Sequence, residues 1–267
     1  MNRELKADCE NCFALCCVAP AFAASSDFAI TKPAGRACPN LAEDFRCGIH
    51  RELRAKGFRG CTVFDCFGAG QQVSQVTFGG EDWRRSPKLA REMFAVFPVM
   101  RDLHELLYYL SEALGWPAAG PVRAELEVAV KETERLTLHN PAALGRLDVA
   151  AHRHGVNGVL LRASELARAE VKGKKKDRRG ADLIGASLRG ASLRGASLRG
   201  AYLIGADLRE ADLRVADVIG ADFRDADVRG ADFTGALFLI QSQLDAAKGD
   251  GSTKLPPSLR APGHWSG

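Results

Sequence analysis

The chain has 267 residues, 46% of them hydrophobic, with eight cysteines and a formal net charge of +4. This length and apolar content allow two or three domains with real cores, and a charge this small does not by itself indicate nucleic-acid binding. The first residues lack the charged and apolar run of a signal peptide, and no apolar stretch reaches membrane-spanning length. We therefore expect a cytoplasmic protein with reduced thiols and no membrane partner.

The cysteines all fall in the first quarter of the chain, which we predict to be a cysteine-rich module over residues 1–80. A C-x2-C pair opens the segment, and an adjacent pair follows three residues later. Clustered thiolates select zinc or iron–sulfur clusters in a reducing compartment. The candidate metal ligands are all eight: Cys9, Cys12, Cys16, Cys17, Cys38, Cys47, Cys61 and Cys66.

The stretches CENCFALCC, CPNL, FRCGIH and CTVFDC resemble the zinc- or iron-chelating cysteine-cluster domain family. One departure is the spacing before the double cysteine, which is three residues here and two in that family. Eight thiols suffice for two four-ligand sites or for one cluster with spare cysteines, and we favour zinc over an iron–sulfur cluster. His50 is a candidate substitute ligand. Buried reduced thiols and a redox disulfide framework are the alternatives.

A short strand is predicted over 73–78, and a helical bundle over residues 81–171. Ser86 and Pro87 are typical of a helix start, and apolar residues recur at helical spacing as far as Leu114. A second helix is predicted from Pro121 and a third from Asn140-Pro141, continuing into the helical stretch that ends at Ala169. The histidines of this region are expected at the surface, and no nucleophile–base pairing is found.

A basic linker at residues 172–180 precedes twelve consecutive five-residue blocks over residues 181–240. Every block opens with Ala, and its third residue is Leu, Val or Phe. The pattern is similar to the pentapeptide-repeat family, which implies a right-handed, four-sided parallel β-helix with four blocks per coil. The fold class we predict is therefore mixed α and β and multidomain, with a short β-helix of about three coils after the bundle and the cysteine-rich module.

Writing the repeat with a period of twenty places the third-position residues inside and the second and fourth positions outside. The first coil is net positive and the next two are net negative. Ile184, Tyr202 and Ile204 form an outward apolar group, which we expect either the bundle or a partner to cover. A C-terminal cap helix and an extended or loosely packed tail are predicted over residues 241–267.

The leading functional hypothesis is a non-enzymatic interaction or scaffold protein whose metal is structural, and no catalytic residue is assigned. The alternative is a metal- or iron–sulfur-dependent enzyme or redox sensor that uses the N-terminal cysteines. A DNA-mimicking topoisomerase modulator, which the repeat family implies, is disfavoured because the stack is short and basic at its start. We expect a protein partner on the β-helix faces, with a homodimer and a weak nucleic-acid contact through the basic linker as further candidates.

Overall fold

The computed structural model describes residues 5–265, which divide into two compact units. The first unit comprises the chain up to Gly115 together with Pro121–Leu160. The second comprises Trp116–Gly120 and the chain from Leu161 onward. Helices and irregular segments build the first unit, and stacked coils build most of the second.

Short helices, tight turns and two antiparallel bridges hold the cysteine-rich segment of the first unit. Phe22 bridges Lys32, and Leu41 bridges Cys47. Its α-helices are Leu15–Val18 (α1), Arg59–Thr62 (α2) and Ala69–Gln71 (α3), and its 3-10 turns are Cys9–Asn11, His50–Glu52 and Trp83–Arg85. The cysteines therefore lie on irregular backbone whose shape depends on tertiary contacts.

The strand predicted over 73–78 is wrong, because Gln72–Thr77 forms a π-helix directly after α3. The Phe78 N–H donates to the Val73 carbonyl at 3.0 Å, a bond that spans five residues. Val73 and Ser74 are fully buried, and the Phe13 N–H donates to the Ser74 hydroxyl at 3.0 Å. Packing against distant residues has overridden the local apolar–polar alternation.

The longest helix of the first unit begins at the strongest helix-start signal in the sequence, Ser86-Pro87. The Ser86 hydroxyl accepts from the Leu89 N–H at 3.1 Å, which confirms the predicted cap of the long helix α4, Pro87–Leu114. A 3-10 turn at Pro117–Val122 leads into α5, Arg123–Thr137. The third predicted helix does not continue into the fourth: α6 is Pro141–Leu144, and α7, Val149–Ala169, is separate.

One apolar cluster joins the cysteine-rich segment to the helices of the first unit. Leu15 of α1 and Val73 pack with Met93, Met100 and Leu103 of α4, and all five are fully buried. The segment that carries the cysteines therefore shares its core with the long helix.

Residues 177–240 of the second unit, which we call the coil stack, are joined by parallel bridges between residues twenty apart. The bridged pairs run from Asp177↔Ser197 to Asp217↔Leu237 at five-residue steps, four to a coil of twenty residues. The first and third residues of each block face the interior, and from Leu193 onward they are buried. The bridging begins within the predicted linker, since Asp177 already pairs with Ser197.

The fifth position of every block except the last turns the chain in the left-handed region of backbone space. Gly200, for example, has φ 62°, and glycine adopts this conformation without a steric penalty. Glu210 and Val215 occupy the same position with φ 59° and 57°. The requirement for positive φ explains why glycine closes most blocks.

The last coil is covered by helix α8, Gln241–Ala246, and by the tail that follows it. The Gln243 side chain donates to the carbonyls of Val218 and Ala221, both at 2.9 Å. Of the two forms predicted for the tail, extended or loosely packed, the structure shows extended pairing: Lys254 bridges Asp232, and Trp265, in the 3-10 turn Gly263–Trp265, is buried. Backbone pairing and apolar contact thus continue past the repeat.

Within residues 5–265, no helix combines the length and the apolar character that crossing a bilayer requires.

Candidate functional site

The structure places the eight cysteines as unpaired thiols on the segment between Cys9 and Cys66. Long-range backbone contacts bring distant members together. The Cys38 N–H donates to the Cys17 carbonyl at 3.0 Å, and Cys47 lies in the bridge to Leu41. These contacts set the neighbourhoods of the thiols.

Cys9, Cys12, Cys16 and Cys66 make up the first thiol set, which we define by the effects of these thiols on one another's pKa; Cys17 also raises the pKa of Cys9. A Cβ atom added at Gly70 of α3 would lie 2.6 Å from the Cys12 sulfur and 3.9 Å from the Cys66 sulfur. Glycine at this position therefore leaves room for the Cys12 thiol, and the Cys66 sulfur lies on the same side at contact distance. Burial raises the pKa of Cys12 to about 11, and the nearby Cys66 and Cys9 thiols act in the same direction.

The other neighbourhood, the second thiol set, contains Cys17, Cys38, Cys47 and Cys61. Burial raises the pKa of Cys61 to about 11, and the neighbours that raise it further are the other three members of the set. Burial also raises the pKa of Cys47, with Cys17 and Cys38 adding to it. Like charges repel, so each thiol makes its neighbours harder to ionise.

Cys16 and Cys17 lie side by side in α1 and connect the two sets. Their sulfur atoms are 4.0 Å apart. The pKa of Cys17 is lowered because the Cys16 thiol interacts with its sulfur and because the ammonium of Lys32 is near. The Cys16 pKa is raised by the same sulfur–sulfur contact and by burial. Of the neighbouring pair, Cys17 is the thiol that ionises more easily.

Lys32 is a residue of this site that the sequence did not single out. Its side chain is buried, and its ammonium donates to the carbonyls of Val18, Pro20, Pro33 and Arg36 at 2.5–3.2 Å. Desolvation lowers its pKa, while Cys38 and Cys17 act against that shift. A buried cation beside thiols favours their anionic form. A lysine between two distant cysteines carries no motif that would reveal this from sequence.

The thiols match a soft metal in kind and in number, four to each set. Within residues 5–265, however, no three His, Cys, Asp or Glu side chains are arranged so that they could hold a metal ion. His50 is exposed, and its N–H donates to the Cys47 carbonyl at 3.2 Å, so it belongs to the turn of a second-set cysteine. The metal ligands therefore stay a prediction.

The coil surface carries a repeated charge pair. The Arg209 guanidinium donates to both carboxylate oxygens of Asp207, two residues earlier, at 2.8 and 2.6 Å. That bidentate contact holds the pKa of Asp207 down, at about 2. Further pairs of the same spacing join Arg214 to Asp212, Arg224 to Asp222, and Arg229 to Asp227. Arg189, whose block has Ser187 in place of Asp, pairs with Glu210 of the next coil at 2.7 Å.

Asp217 departs from this surface pattern, because it is completely buried. Its carboxylate accepts from the Ser164 hydroxyl of α7 at 2.5 Å and from the Arg199 guanidinium at 2.7 Å. Arg168 donates in turn to the Ser164 hydroxyl at 3.1 Å. The C-terminal part of α7 thus contacts the coil stack through a hydrogen bond from Ser164 to Asp217, whose charge is paired with Arg199 inside the stack, and the sequence indicated neither contact.

The histidines of the helical region do not all lie at the surface as expected. His104 is buried, and its Nδ1 lies 2.8 Å from the Phe67 carbonyl oxygen. His152 is half-buried, with its Nε2 2.9 Å from the Thr133 hydroxyl. These contacts are structural, since each histidine ties together two segments of the first unit.

Comparison with known proteins identifies relatives of both the repeat and the whole chain. The family model of pentapeptide repeats matches residues 179–214 and 203–238. The uncharacterized protein YybG of Bacillus subtilis is 58% identical over 268 residues, which cover 99% of this chain and 96% of YybG. The likeness to YybG therefore includes the cysteine-rich segment and the helices as well as the repeat.

Solved structures of three pentapeptide repeat proteins resemble part of the chain. One from the cyanobacterium Cyanothece is 32% identical with a TM-score of 0.27, and the match covers 29% of this chain and 52% of the Cyanothece chain. One from the Arabidopsis thaliana thylakoid lumen is 29% identical with a TM-score of 0.23, covering 33% and 63%. One from Nostoc is 31% identical with a TM-score of 0.25, covering 37% and 91%. These TM-scores are too low to support an argument about the fold.

Proposed function

Because the chain belongs to the pentapeptide-repeat proteins and to one family with YybG, we propose that it is a non-enzymatic scaffold that binds a partner protein on the faces of its coil stack. The stack would be a short right-handed, quadrilateral β-helix. The observation that carries the proposal is the ordered outer surface, on which Arg and Asp side chains pair at a fixed spacing from coil to coil. Such a surface offers a partner a fixed pattern of charge without mobile loops.

The test compares the partners that the full chain captures in cells with those of two variants. Leu203→Asp places a charge in the interior of the stack, where Leu203 is fully buried, and should abolish the interaction. Arg260→Glu changes an exposed cation of the tail and should leave it intact. Hydrogen exchange of peptides from the first unit shows whether the loss is confined to the stack. A partner that still binds the Leu203→Asp chain with its stack unfolded would contradict the proposal.

We further propose that the two thiol sets hold structural metal ions, zinc in preference to iron–sulfur clusters, in a reducing cytoplasm. The support is the division of eight thiols into two groups of four, in a segment that resembles the zinc- or iron-chelating cysteine-cluster family. Each thiol would turn toward a common centre when it loses its proton. A bound ion would add cross-links to a segment that has few backbone bridges of its own.

Elemental analysis and visible absorption of protein purified without oxygen and without added metal decide between the candidates. Zinc without colour supports the structural role. Iron with a sulfide absorption band that bleaches on reduction would favour the second function, a metal- or cluster-dependent enzyme or redox sensor. Protein without any metal would contradict the ligand assignment, and the cysteines would then be reduced thiols or a redox disulfide framework.

A further inference from the structure

At the N-terminal end of the stack, three of the four sides of the first coil have no neighbouring strand among the residues that the structure describes. Within the stack, the backbone N–H and carbonyl of a second-position residue both bond to the preceding coil: the Asp207 N–H donates to the Ala186 carbonyl, and the Asp207 carbonyl accepts from the Leu188 N–H, at 2.9 and 2.8 Å. In the first coil, among the residues that the structure describes, no backbone partner contacts the N–H or carbonyl groups of Asp182, Ser187 and Ser192.

The fourth side shows how such an edge is covered. The Ser197 N–H donates to the Lys176 carbonyl at 2.9 Å, and the Arg178 N–H donates to the Ser197 carbonyl at 2.8 Å. Residues 176–178 therefore run parallel to this side as an added strand. This added strand covers only that one side, because the chain enters the first coil at Ala181.

The open sides also expose apolar surface. Leu183 and Leu188 are only partly buried, whereas Leu203 and Leu208, which lie directly above them, are fully buried. On the outer face of the same side, Ile184 and Tyr202 are 57% and 52% exposed. An unpaired strand edge beside apolar side chains is a template for pairing with another chain.

The charge around this end is net positive, since the Asp182 carboxylate on the open edge offsets only one of the cations nearby. Six cations near it have no ion-pair partner among residues 5–265: Lys172, Lys174, Lys175, Lys176, Arg178 and Arg194. Two copies of this end would repel each other at close range. The charge therefore favours an acidic partner over a second copy of the chain.

We propose that this open end, defined by the backbone edges of Asp182, Ser187 and Ser192 and by the six cations, binds an acidic extended segment of a partner protein as an added strand. The partner's backbone would pair with the open edge as residues 176–178 pair with Ser197. Its apolar side chains would cover Leu183 and Leu188, and its carboxylates would lie near the cations. This inference deepens the proposed scaffold function and rests on it.

The probe is a short fluorescent peptide in which Glu and Val alternate, titrated against the full-length protein and followed by fluorescence anisotropy. We expect saturable binding that weakens as salt is added, because the cations are exposed. A matched peptide with Lys in place of Glu should not bind. Absence of binding by the Glu-Val peptide would overturn the proposal.

Two variants locate the binding site on the protein. Ser187→Pro removes an edge N–H and blocks close approach, and should weaken binding by roughly tenfold or more, equivalent to about 1.4 kcal/mol. Lys175→Glu/Arg178→Glu reverses charge at exposed or half-buried side chains and should weaken peptide binding comparably. This variant tests the same site if Ser187→Pro does not fold. Arg260→Glu, at an exposed cation of the tail, is the matched control and should bind as the unmodified protein does. Equal binding by the Lys175→Glu/Arg178→Glu variant would overturn the assignment.

Other occupants give distinguishable results. Duplex DNA that binds more tightly than the peptide and is unaffected by Ser187→Pro would overturn the proposal in favour of nucleic acid. A dimer in sedimentation that Ser187→Pro abolishes would overturn it in favour of a second copy. If the peptide fails to bind while the Leu203→Asp chain still loses its cellular partner, the open end is wrong and the scaffold function stands. If that partner is also retained, the scaffold function itself fails.

Discussion

Asp217 shows how one residue of the repeat acquires a different role from its equivalents. Its ladder neighbours at the same block position are Ser197 and Leu237, whereas Asp212, which is half-buried, pairs with Arg214 on the outer surface. Asp217 instead receives hydrogen bonds from Ser164 and Arg199 in a completely buried site. A buried carboxylate is tolerated only because its charge is paired.

Asp217→Ala should therefore destabilise the coil stack far more than Asp212→Ala, its surface counterpart. Removing one partner of a buried pair costs about 3–5 kcal/mol because Arg199 is left uncompensated. The solvent-accessible Asp212–Arg214 pair on the outer surface contributes about 1 kcal/mol or less. Chemical unfolding followed by circular dichroism measures both. Equal losses from the two variants would show that the buried pair has no special weight.

Cys16 and Cys17 are matched controls for each other, because they are adjacent but lie in different thiol sets. If the sets bind metal separately, Cys17→Ser should release the ion held with Cys38, Cys47 and Cys61, and Cys16→Ser should release the other. Metal analysis and alkylation mapping report this directly. In Cys17→Ser, the second-set cysteines should become alkylated while Cys9, Cys12 and Cys66 stay protected. The same alkylation pattern in both variants would mean that the eight thiols act as one site.

At the scale of the element, the coil depends on the alternation of inward and outward residues. Leu203 is fully buried and its neighbour Tyr202 is 52% exposed. Leu203→Asp places an unpaired charge in the core and should destabilise the stack by about 4 kcal/mol or more. Tyr202→Asp should leave the thermal midpoint nearly unchanged. An unaltered unfolding profile for Leu203→Asp would contradict the placement of Leu203 in the interior of the stack.

The Arg–Asp pairs should make the stability of the coil stack fall at low pH. Paired guanidinium groups lower the pKa of Asp207, Asp212 and Asp227, that of Asp207 from its ordinary 3.8 to about 2. A lowered pKa in the folded state means that the pairs contribute their full stability above about pH 4 and lose it as the pH falls toward 2. We expect the thermal midpoint of the stack to decline over that interval. Asp207→Asn should flatten the decline, and a slope equal to that of the unmodified protein would contradict this origin.

At the scale of the whole molecule, each unit has an apolar core of its own. The cluster around Leu15 and Met100 lies in the first unit, and the cluster of Ala, Leu, Val and Phe ladders lies in the second. Separate cores allow separate unfolding, with local stability set by each core. The cysteines lie only in the first unit, so a change in their state should affect that unit first.

If the thiol sets hold metal, a chelator should loosen the first unit and spare the second. Metal bound only by the folded state stabilises it by mass action, and removal reverses that gain. Hydrogen exchange should then show faster exchange in peptides from residues 5–80 and unchanged exchange in residues 181–240. Equal loss of protection in both regions would show that the two units unfold as one.

The coil stack and the long helix could be predicted because short stretches of adjacent residues specify them. The period of five, with Ala first, an apolar third residue and a positive-φ fifth position, specifies each side of a coil from five adjacent residues. Ser86 and Pro87 likewise specify the start of α4 by themselves. The strand predicted over 73–78 and the helix predicted to continue from Asn140 to Ala169 were wrong. The first yielded to the burial of Val73 and Ser74, and the second to the separate, one-turn helix α6.

The sequence by itself determined the repeat, its twenty-residue register and its inner ladders, because each coil meets a neighbour built from the same short pattern. Only the tertiary structure decided which thiols are neighbours, why Lys32 lies among them, why Asp217 is buried and which sides of the first coil stay open. Those features join residues far apart in the chain, such as Cys12 with Cys66 and Ser164 with Asp217. Pairing of that kind depends on how complete elements pack, and no local pattern encodes it.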